Sequence, residues 1–215
     1  MTRKTIKNQR RTPKQQRALS KYNAVLDACT QVLIRQGYDA ATILELSLES
    51  EVAVPTIYQY FENKEAIFLC WFERLIEQVL AAVSQSKASG NNADLNALIY
   101  QLTFTALSAV AHFKPAIQPL LQEIPQTLSG RMLETIEDKT FQFLETQFAS
   151  QFQRLQEIGD TEHFHFQVRT LIRLVTGYFI QRTLGTAAID TMAESRELAQ
   201  LIQLYLEQSG ITTLN

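Results

Sequence analysis

Residues that bend or cross-link a chain are scarce in this sequence. Its 215 residues include only 7 Gly, 5 Pro and 2 Cys. Apolar residues recur instead at three- and four-residue steps along nearly the whole chain, and no segment has a convincing strand pattern, so we expect an all-α protein. Cys29 and Cys70 lack C-x-x-C spacing and lie within apolar helical stripes. We interpret them as buried thiols of a cytoplasmic protein.

Long hydrophobic runs are absent as well. The longest uncharged apolar run, Leu102 to Ala111, contains Thr and Ser and is shorter than the roughly 20 residues of a membrane-spanning helix. The basic N-terminus has no apolar run behind it, so we expect no signal peptide. With 46% hydrophobic and 20% charged residues, the composition is that of a soluble protein that forms a core.

Acidic residues are missing from the first 21 positions, which hold eight basic ones. The rest of the chain carries all 22 acidic residues and is net anionic. This asymmetry predicts a flexible basic arm, residues 1–21, that binds a polyanion such as nucleic acid. The alternative is a disordered tail that only increases solubility. The basic residues are Arg3, Lys4, Lys7, Arg10, Arg11, Lys14, Arg17 and Lys21.

Groupings of residues that would support catalysis are also missing. His163 and His165 are two apart and therefore lie on different faces of a helix, and no carboxylate spacing completes a metal site with them or with His112. The sequence has no G-x-S-x-G motif and no phosphate-binding glycine loop. We therefore expect no enzyme activity, no metal and no cofactor.

The apolar periodicity and capping signals define the predicted helices. The first runs from Tyr22 to Gln36 and ends at Gly37, which suits a left-handed cap. The second starts at Thr42, whose T-x-x-E pattern is a capping box. A third, Val54 to Phe61, has Pro55 in its first turn, and Asn63 caps a long fourth helix to about Ser84. Further helices are predicted at about 95–113, 116–123, 128–158, 163–184 and 193–208.

Two short helices joined by a tight turn, following a longer helix, are typical of a helix-turn-helix, whose second helix enters the DNA major groove. In that second helix, Ile57 and Phe61 are four residues apart and should both face inward. The polar and small residues between them should then face outward or sideways. These are Val54, Pro55, Thr56, Tyr58, Gln59 and Tyr60.

The segment V-A-V-P-T-I-Y-Q-Y-F-E-N-K-E-A-I, residues 52–67, preceded by Gly37-Tyr38, Thr42 and Leu46, resembles the DNA-binding domain of the TetR family of bacterial transcriptional regulators. The motif covers about residues 22–69. Glu51 stands where the family pattern has a glycine, so a left-handed backbone there would cost about 1 kcal/mol more than with Gly. Ala53 replaces the usual Ser cap, which is worth about 1 kcal/mol.

The resemblance implies roles for individual residues. Thr42, Tyr58, Gln59 and Lys64 would contact DNA phosphates, and Val54, Pro55, Thr56 and Tyr60 would approach bases. Arg10, Arg11, Lys14 and Arg17 would reach the neighbouring groove or backbone. The alternative is that the tyrosines only pack against the first and fourth helices. The implied protein is a homodimeric repressor that a small-molecule effector releases from a palindromic operator.

The resemblance also implies that residues 22–66 form the DNA-binding domain and that residues 67–215 form a helical domain for effector binding and dimerisation. Independently, residues 164–184 are apolar on nearly every side, and we expect the last two helices to pair with their copies in a dimer. The alternative is an intramolecular core. Aromatic residues that could line an effector pocket are Phe68, Trp71, Tyr100, Phe104, Phe113, Phe141 and Tyr178. The rival function is a helical-bundle binding protein or enzyme that keeps the fold without binding DNA.

Overall fold

The computed structural model describes residues 15–88, 95–147 and 161–208, and within these ranges the chain forms eight helices and no strand. The all-α prediction is confirmed. The predicted helical segment 148–158 and the arm residues 1–14 lie outside the described residues. The helices are α1 Gln16–Ala40, α2 Ile43–Ser50, α3 Val54–Tyr60, α4 Lys64–Ala88, α5 Leu95–Glu123, α6 Gln126–Gln147, α7 Thr161–Leu184 and α8 Thr191–Gln208.

Helix α1 differs from its predicted bounds at both ends. It begins at Gln16, so residues 16–21 of the predicted flexible arm are helical. It also continues past Gly37 to Ala40 through a kink at that glycine, where φ is 75° and ψ is −178°. Gly37 therefore needs the positive φ that was expected of it, but its ψ is not that of a left-handed helix cap.

Helix α5 corrects a second prediction, since it passes through Pro115 and Pro119 without ending. Each proline removes one helical hydrogen bond, which is why two separate helices were expected here. Ala116, Ile117 and Leu120 around these prolines are buried. Packing of that face keeps the segment helical despite the lost backbone bonds.

The chain divides into two compact units. Unit 1 comprises residues 1–75 and 114–133, and its core includes side chains from α1, α2, α3, the first part of α4, the end of α5 and the start of α6. The functional boundary at residues 66 and 67 stays a prediction, and unit 1 extends beyond it because residues 67–72 are buried. Core residues from each of these elements are Leu26, Leu33, Leu46, Ile57, Phe61, Phe68, Leu120, Leu128 and Met132.

Unit 2 comprises residues 76–113 and 134–215. Its α6 and α7 share an apolar cluster of Phe141, Phe164, Val168 and Ile172. Beside the cluster, Arg169 donates to Glu137 at 2.7 Å and lies 4.4 Å from the centre of the Phe141 ring. These contacts join α6 to α7 on both the apolar and the charged side.

Helices α7 and α8 are joined by a charged network. The Glu194 carboxylate of α8 accepts from Tyr178 Oη at 2.5 Å and from Arg182 Nε at 2.7 Å. Burial alone would raise the pKa of Glu194, but the hydrogen bonds from Arg182 and Tyr178 outweigh burial and lower that pKa. Burial and the bond to Glu194 raise the pKa of Tyr178 to about 12.

Candidate nucleic-acid interface

The start of α2 has the predicted cap. Thr42 has extended backbone angles, and its Oγ1 accepts a hydrogen bond from the Glu45 amide at 3.1 Å. This bond satisfies one of the free amides at the start of the helix. A hydroxyl can donate while it accepts, and Thr42 is exposed. Its O–H remains able to reach a phosphate, as the family resemblance implies.

The turn between α2 and α3 has the conformation expected of a glycine. Glu51 has φ 56° and ψ 23° and is the one non-glycine residue with positive φ in the described part of the chain. Two serines stabilise this turn, because Ser47 Oγ donates to the Val52 carbonyl at 2.7 Å and Ser50 Oγ accepts from the Val52 amide at 3.3 Å. A left-handed backbone at Glu51 was considered from the sequence, but the hydrogen bonds of the two serines were not predicted. The high turn propensity of Ser could have indicated that these residues stabilise the turn.

Helix α3 starts without a side-chain cap, as predicted. Ala53 is the N-cap residue and makes no side-chain hydrogen bond to the helix. The backbone compensates in part, since the Ala53 carbonyl accepts from the amides of Thr56 at 2.8 Å and Ile57 at 3.2 Å. Pro55 lies in the first turn, where its missing N–H costs no helical bond.

The inner side of α3 consists of Ile57, Tyr60 and the following Phe61. Ile57 and Phe61 are fully buried, as predicted. Tyr60 was expected to approach bases, and the structure contradicts this because its side chain is only 8% exposed. The Tyr22 ring of α1 stacks on Phe61 at 4.9 Å between centroids and meets Tyr60 edge to face at 6.2 Å. Tyr60 is therefore a core residue that fixes α3 against α1.

The other predicted residues of α3 are accessible. Pro55 and Gln59 are exposed, and Tyr58 is 42% exposed. Val54 and Thr56 are half-buried. One side of α3 thus presents a hydroxyl, an amide, a phenol and small apolar groups, which are the groups that contact phosphate oxygens, base edges and thymine methyls.

Lys64 lies at the start of α4, but its ammonium group is held within unit 1. Its Nζ donates to the Tyr38 carbonyl at 2.8 Å and lies 4.0 Å above the centre of the Tyr38 ring. Burial lowers the pKa of Lys64, and the carboxylates of Asp39, Glu123 and Glu65 oppose this shift. Its role as a phosphate contact stays a prediction, and the contact would require Lys64 to leave the Tyr38 carbonyl or to use another of its three N–H groups.

The helix-turn-helix carries negative rather than positive charge. Residues 42–63 contain no Lys or Arg, while Glu45, Glu49, Glu51 and Glu62 are acidic. Nearby, Arg35 of α1 is paired with Glu49 at 2.6 Å and with Glu45 at 3.5 Å. The exposed cations at the start of α1 are Arg17 and Lys21. Of the other arm residues predicted to reach DNA, Arg10, Arg11 and Lys14 lie outside the described residues.

The seven aromatic residues predicted to line a pocket are divided between the two units, and their role as a pocket lining stays a prediction. Phe68 and Trp71 are buried in unit 1, where Phe68 packs edge to face on Tyr38 and Trp71 donates from Nε1 to Thr30 at 3.0 Å. Those are core contacts. In unit 2, Tyr100 stacks on Phe104 at 6.2 Å. Of the three others, Phe113 meets His112, Phe141 packs under Arg169, and Tyr178 bonds Glu194.

Within the described ranges, no three His, Cys, Asp or Glu side chains form a group that could hold a metal ion. Among the helices described, none is both long and apolar enough to cross a membrane. Cys29 and Cys70 are buried thiols, as predicted. Burial raises the pKa of Cys70 to about 11, so this thiol is a poor nucleophile at neutral pH.

Helices α2 and α3, with the tight turn between them and α1 packed behind, form a helix-turn-helix. Residues 25–69 match the sequence model of bacterial regulatory proteins of the tetR family, and these residues contain the whole motif. Over this helix-turn-helix region the chain is similar to the TetR family.

Similar proteins include regulators of fatty acid metabolism. The fatty acid metabolism regulator protein of Bacillus subtilis is 29% identical over 89 residues, which are 41% of this chain and 46% of that protein. The match thus spans less than half of that relative. The fatty acid degradation regulator FadR of Bacillus halodurans has a TM-score of 0.63 at 19% identity, over 89% of this chain and 96% of that one. FadR of B. subtilis in complex with stearoyl-CoA has a TM-score of 0.62 at 19% identity, over 84% and 97%.

Proposed function

We propose that this protein is a cytoplasmic, homodimeric transcriptional repressor that binds a palindromic operator through α3 and is released by a small-molecule effector. The observation that carries the proposal is the two-sidedness of α3. Ile57, Tyr60 and Phe61 anchor the helix, and Pro55, Tyr58 and Gln59 are left accessible. An anchored helix with an uncharged polar surface can enter a major groove without side-chain repulsion from phosphates.

The proposal assigns the electrostatic part of DNA binding to the arm and to the start of α1. Residues 42–63 provide no cation, and Arg35 and Lys64 are engaged within unit 1. The eight basic residues of positions 1–21 are then the main source of phosphate neutralisation. Deleting residues 1–14 should flatten the salt dependence of DNA binding more than any substitution within α3.

The dimer is proposed to form through α7 and α8. Both helices leave large apolar side chains in water, with Phe166 63%, Leu174 62% and Leu201 62% exposed. Met192 and Leu204 are exposed to a similar degree. Apolar surface of this extent marks an interaction site, and a second copy of the same helices is the partner that a palindromic operator requires.

The effector is proposed to be a long-chain acyl-CoA that binds unit 2. The support is the similarity to fatty acid regulators, one of them determined in complex with stearoyl-CoA. Stearoyl-CoA, free stearate and CoA should be titrated into the protein bound to its operator. Release by stearoyl-CoA alone supports an acyl-CoA effector, and release by none of the three contradicts it.

The rival is a helical binding protein or enzyme that has kept this fold without binding DNA. Titration of the full chain into genomic and random DNA at two salt concentrations separates the two functions. A repressor binds a small subset of sequences tightly and shows a steep loss of affinity with salt. The rival shows no such subset, and a merely basic protein shows the salt dependence without the subset.

A further inference from the structure

A carboxylate from the end of α5 lies against the kink of α1. Glu123 Oε2 accepts a hydrogen bond from the Asp39 amide at 2.8 Å, across 84 positions of sequence. A Cβ built on Gly37 would lie 2.6 Å from Glu123 Oε1 and 2.7 Å from Oε2. The carboxylate thus occupies the space that any side chain at position 37 would need, and it holds the backbone two residues further on.

The Lys64 ammonium group, whose charge is opposite to that of Glu123, binds the same backbone corner at residues 37–39. Its Nζ donates to the Tyr38 carbonyl at 2.8 Å and lies 3.5 Å from the Asp39 carbonyl. The amide of Asp39 is therefore bound by an anion, while the carbonyl groups beside it are bound by a cation. Bonds to charged partners are about twice as strong as neutral ones. The corner at residues 37–39 is fixed by ends of two different helices.

This corner leads directly into the helix-turn-helix. Thr42, the cap of α2, follows Asp39 by three residues, and Lys64 is the first residue of α4 after α3. The backbone just before α2 and the residue just after α3 are thus held in one cluster. The cluster consists of the Tyr38 and Asp39 backbone, the Lys64 ammonium group and the Glu123 carboxylate. A shift of the Gly37–Asp39 backbone would move the start of α2 with it.

We propose that Glu123 is a positioning residue for operator binding, which sets the placement of α2 and α3 by holding the Gly37–Asp39 backbone together with Lys64. This inference rests on the proposed function, since positioning matters only if α3 reads DNA. It assigns to α5 a defined contact with the DNA-reading part of unit 1. Glu123 itself need not touch DNA.

The test uses the full chain, its operator, and operator variants whose half-sites are one base pair closer or further apart. Glu123→Ala should lose about tenfold in operator affinity, because it removes a hydrogen bond to a charged acceptor. It should also discriminate less between the spacing variants, while its affinity for random DNA stays within about twofold. Glu123→Gln keeps an acceptor for the Asp39 amide and should lie between Ala and wild type.

The matched control is Glu134→Ala, which removes the same charge from an exposed position of α6. It should leave both operator affinity and spacing discrimination unchanged. Gly37→Ala would strain the backbone at its φ of 75° as well as bring a Cβ against the carboxylate, so it should lower operator affinity at least as much as Glu123→Ala.

Two results would overturn the positioning role. One is wild-type discrimination in Glu123→Ala. The other is a parallel fall of its operator and random-DNA affinities with a loss of helix content, because that pattern indicates ordinary destabilisation. In both cases only the positioning role fails, because the wild type would still bind its operator selectively. If the wild type itself shows no selective binding, the proposed function fails and not the role of Glu123 alone.

Discussion

Helix α3 and the last two helices differ in where their large apolar side chains lie. In unit 1, Ile57 and Phe61 are fully buried within the single chain. In unit 2, Phe166, Leu174 and Leu201 are all more than 60% exposed on α7 and α8. Helix α3 buries its large apolar residues within one copy and exposes mainly polar groups, although α2 beside it exposes Leu44 and Leu48. Helices α7 and α8 leave these apolar side chains in water, a kind of surface that folding normally buries, and we propose that a second copy covers it.

The largest expected effect comes from Tyr60, the α3 residue that the structure places in the core. Tyr60→Ala should lower the free energy of unfolding by about 3 kcal/mol, because it leaves a cavity beside Tyr22 and Phe61. Chemical denaturation monitored by helical circular dichroism measures this. Tyr58→Ala, at an exposed site of the same helix, should change stability by less than about 0.5 kcal/mol. Equal stability of the two variants would contradict the two-sided arrangement of α3.

The second effect concerns the apolar face of α7. In the single chain, a Cβ added at Gly177 or at Gly130 would meet no atom within 4 Å. If α7 packs on its copy, Gly177→Leu should raise the dimer dissociation constant by about tenfold or more through overpacking. Gly130→Leu on α6 is the control and should leave it unchanged. Analytical ultracentrifugation measures both, and an unaffected dimer in Gly177→Leu would place the interface elsewhere.

A smaller effect is the acid sensitivity of unit 2. Hydrogen bonds from Arg173 and Arg169 outweigh burial and lower the pKa of Glu137, and those from Arg182 and Tyr178 do the same for Glu194. Both folded pKa values are below the ordinary value of 4.5. Their contribution to stability is therefore complete above that pH and is lost as pH falls through the lowered values.

Thermal unfolding between about pH 5 and pH 3 tests this pH dependence. The wild type should lose stability over that range, and Glu137→Gln combined with Glu194→Gln should flatten the loss. An equally steep loss in the double variant would mean that other carboxylates dominate the acid response.

The smallest effect comes from Glu51, the left-handed residue of the turn. Glu51→Gly should stabilise the fold by less than about 1 kcal/mol, since relief of the strained φ is partly offset by the greater freedom of glycine in the unfolded chain. It should also increase DNA affinity by removing an acid beside α3. Glu51→Gln separates the two effects, because it removes the charge and keeps the strain. If Gln and Gly increase affinity equally, the charge alone is responsible.

Local signals made most of unit 1 predictable from sequence. The capping pattern at Thr42 and the four-residue spacing of Ile57 and Phe61 gave the start of α2 and the inner side of α3, and both are confirmed. Tyr60 was misplaced although it lies three residues after Ile57, which is also a same-face spacing. Its aromatic hydroxyl suggested an exposed role, and the contact with Tyr22 that buries it is tertiary.

What could not be predicted depends on contacts between distant parts of the chain. The prolines of α5 indicated a break, and only the burial of Ala116 and Leu120 explains why the helix continues. The bond from Asp39 to Glu123 joins residues 84 positions apart, so no local pattern reports it. Lys64 was expected to contact a DNA phosphate, and the bond of its ammonium group to the Tyr38 carbonyl is likewise tertiary.

We propose that the accessible side of α3 reads a specific DNA sequence. Footprinting on the DNA upstream of the protein's own gene, with the wild type and with the double variant Tyr58→Ala, Gln59→Ala, decides whether it does. We expect the wild type to protect an inverted repeat with half-sites about one helical turn apart or a multiple of it. The double variant should keep its helix content and lose the footprint. A footprint that survives in the double variant, or uniform protection without a repeat by the wild type, would contradict the claim.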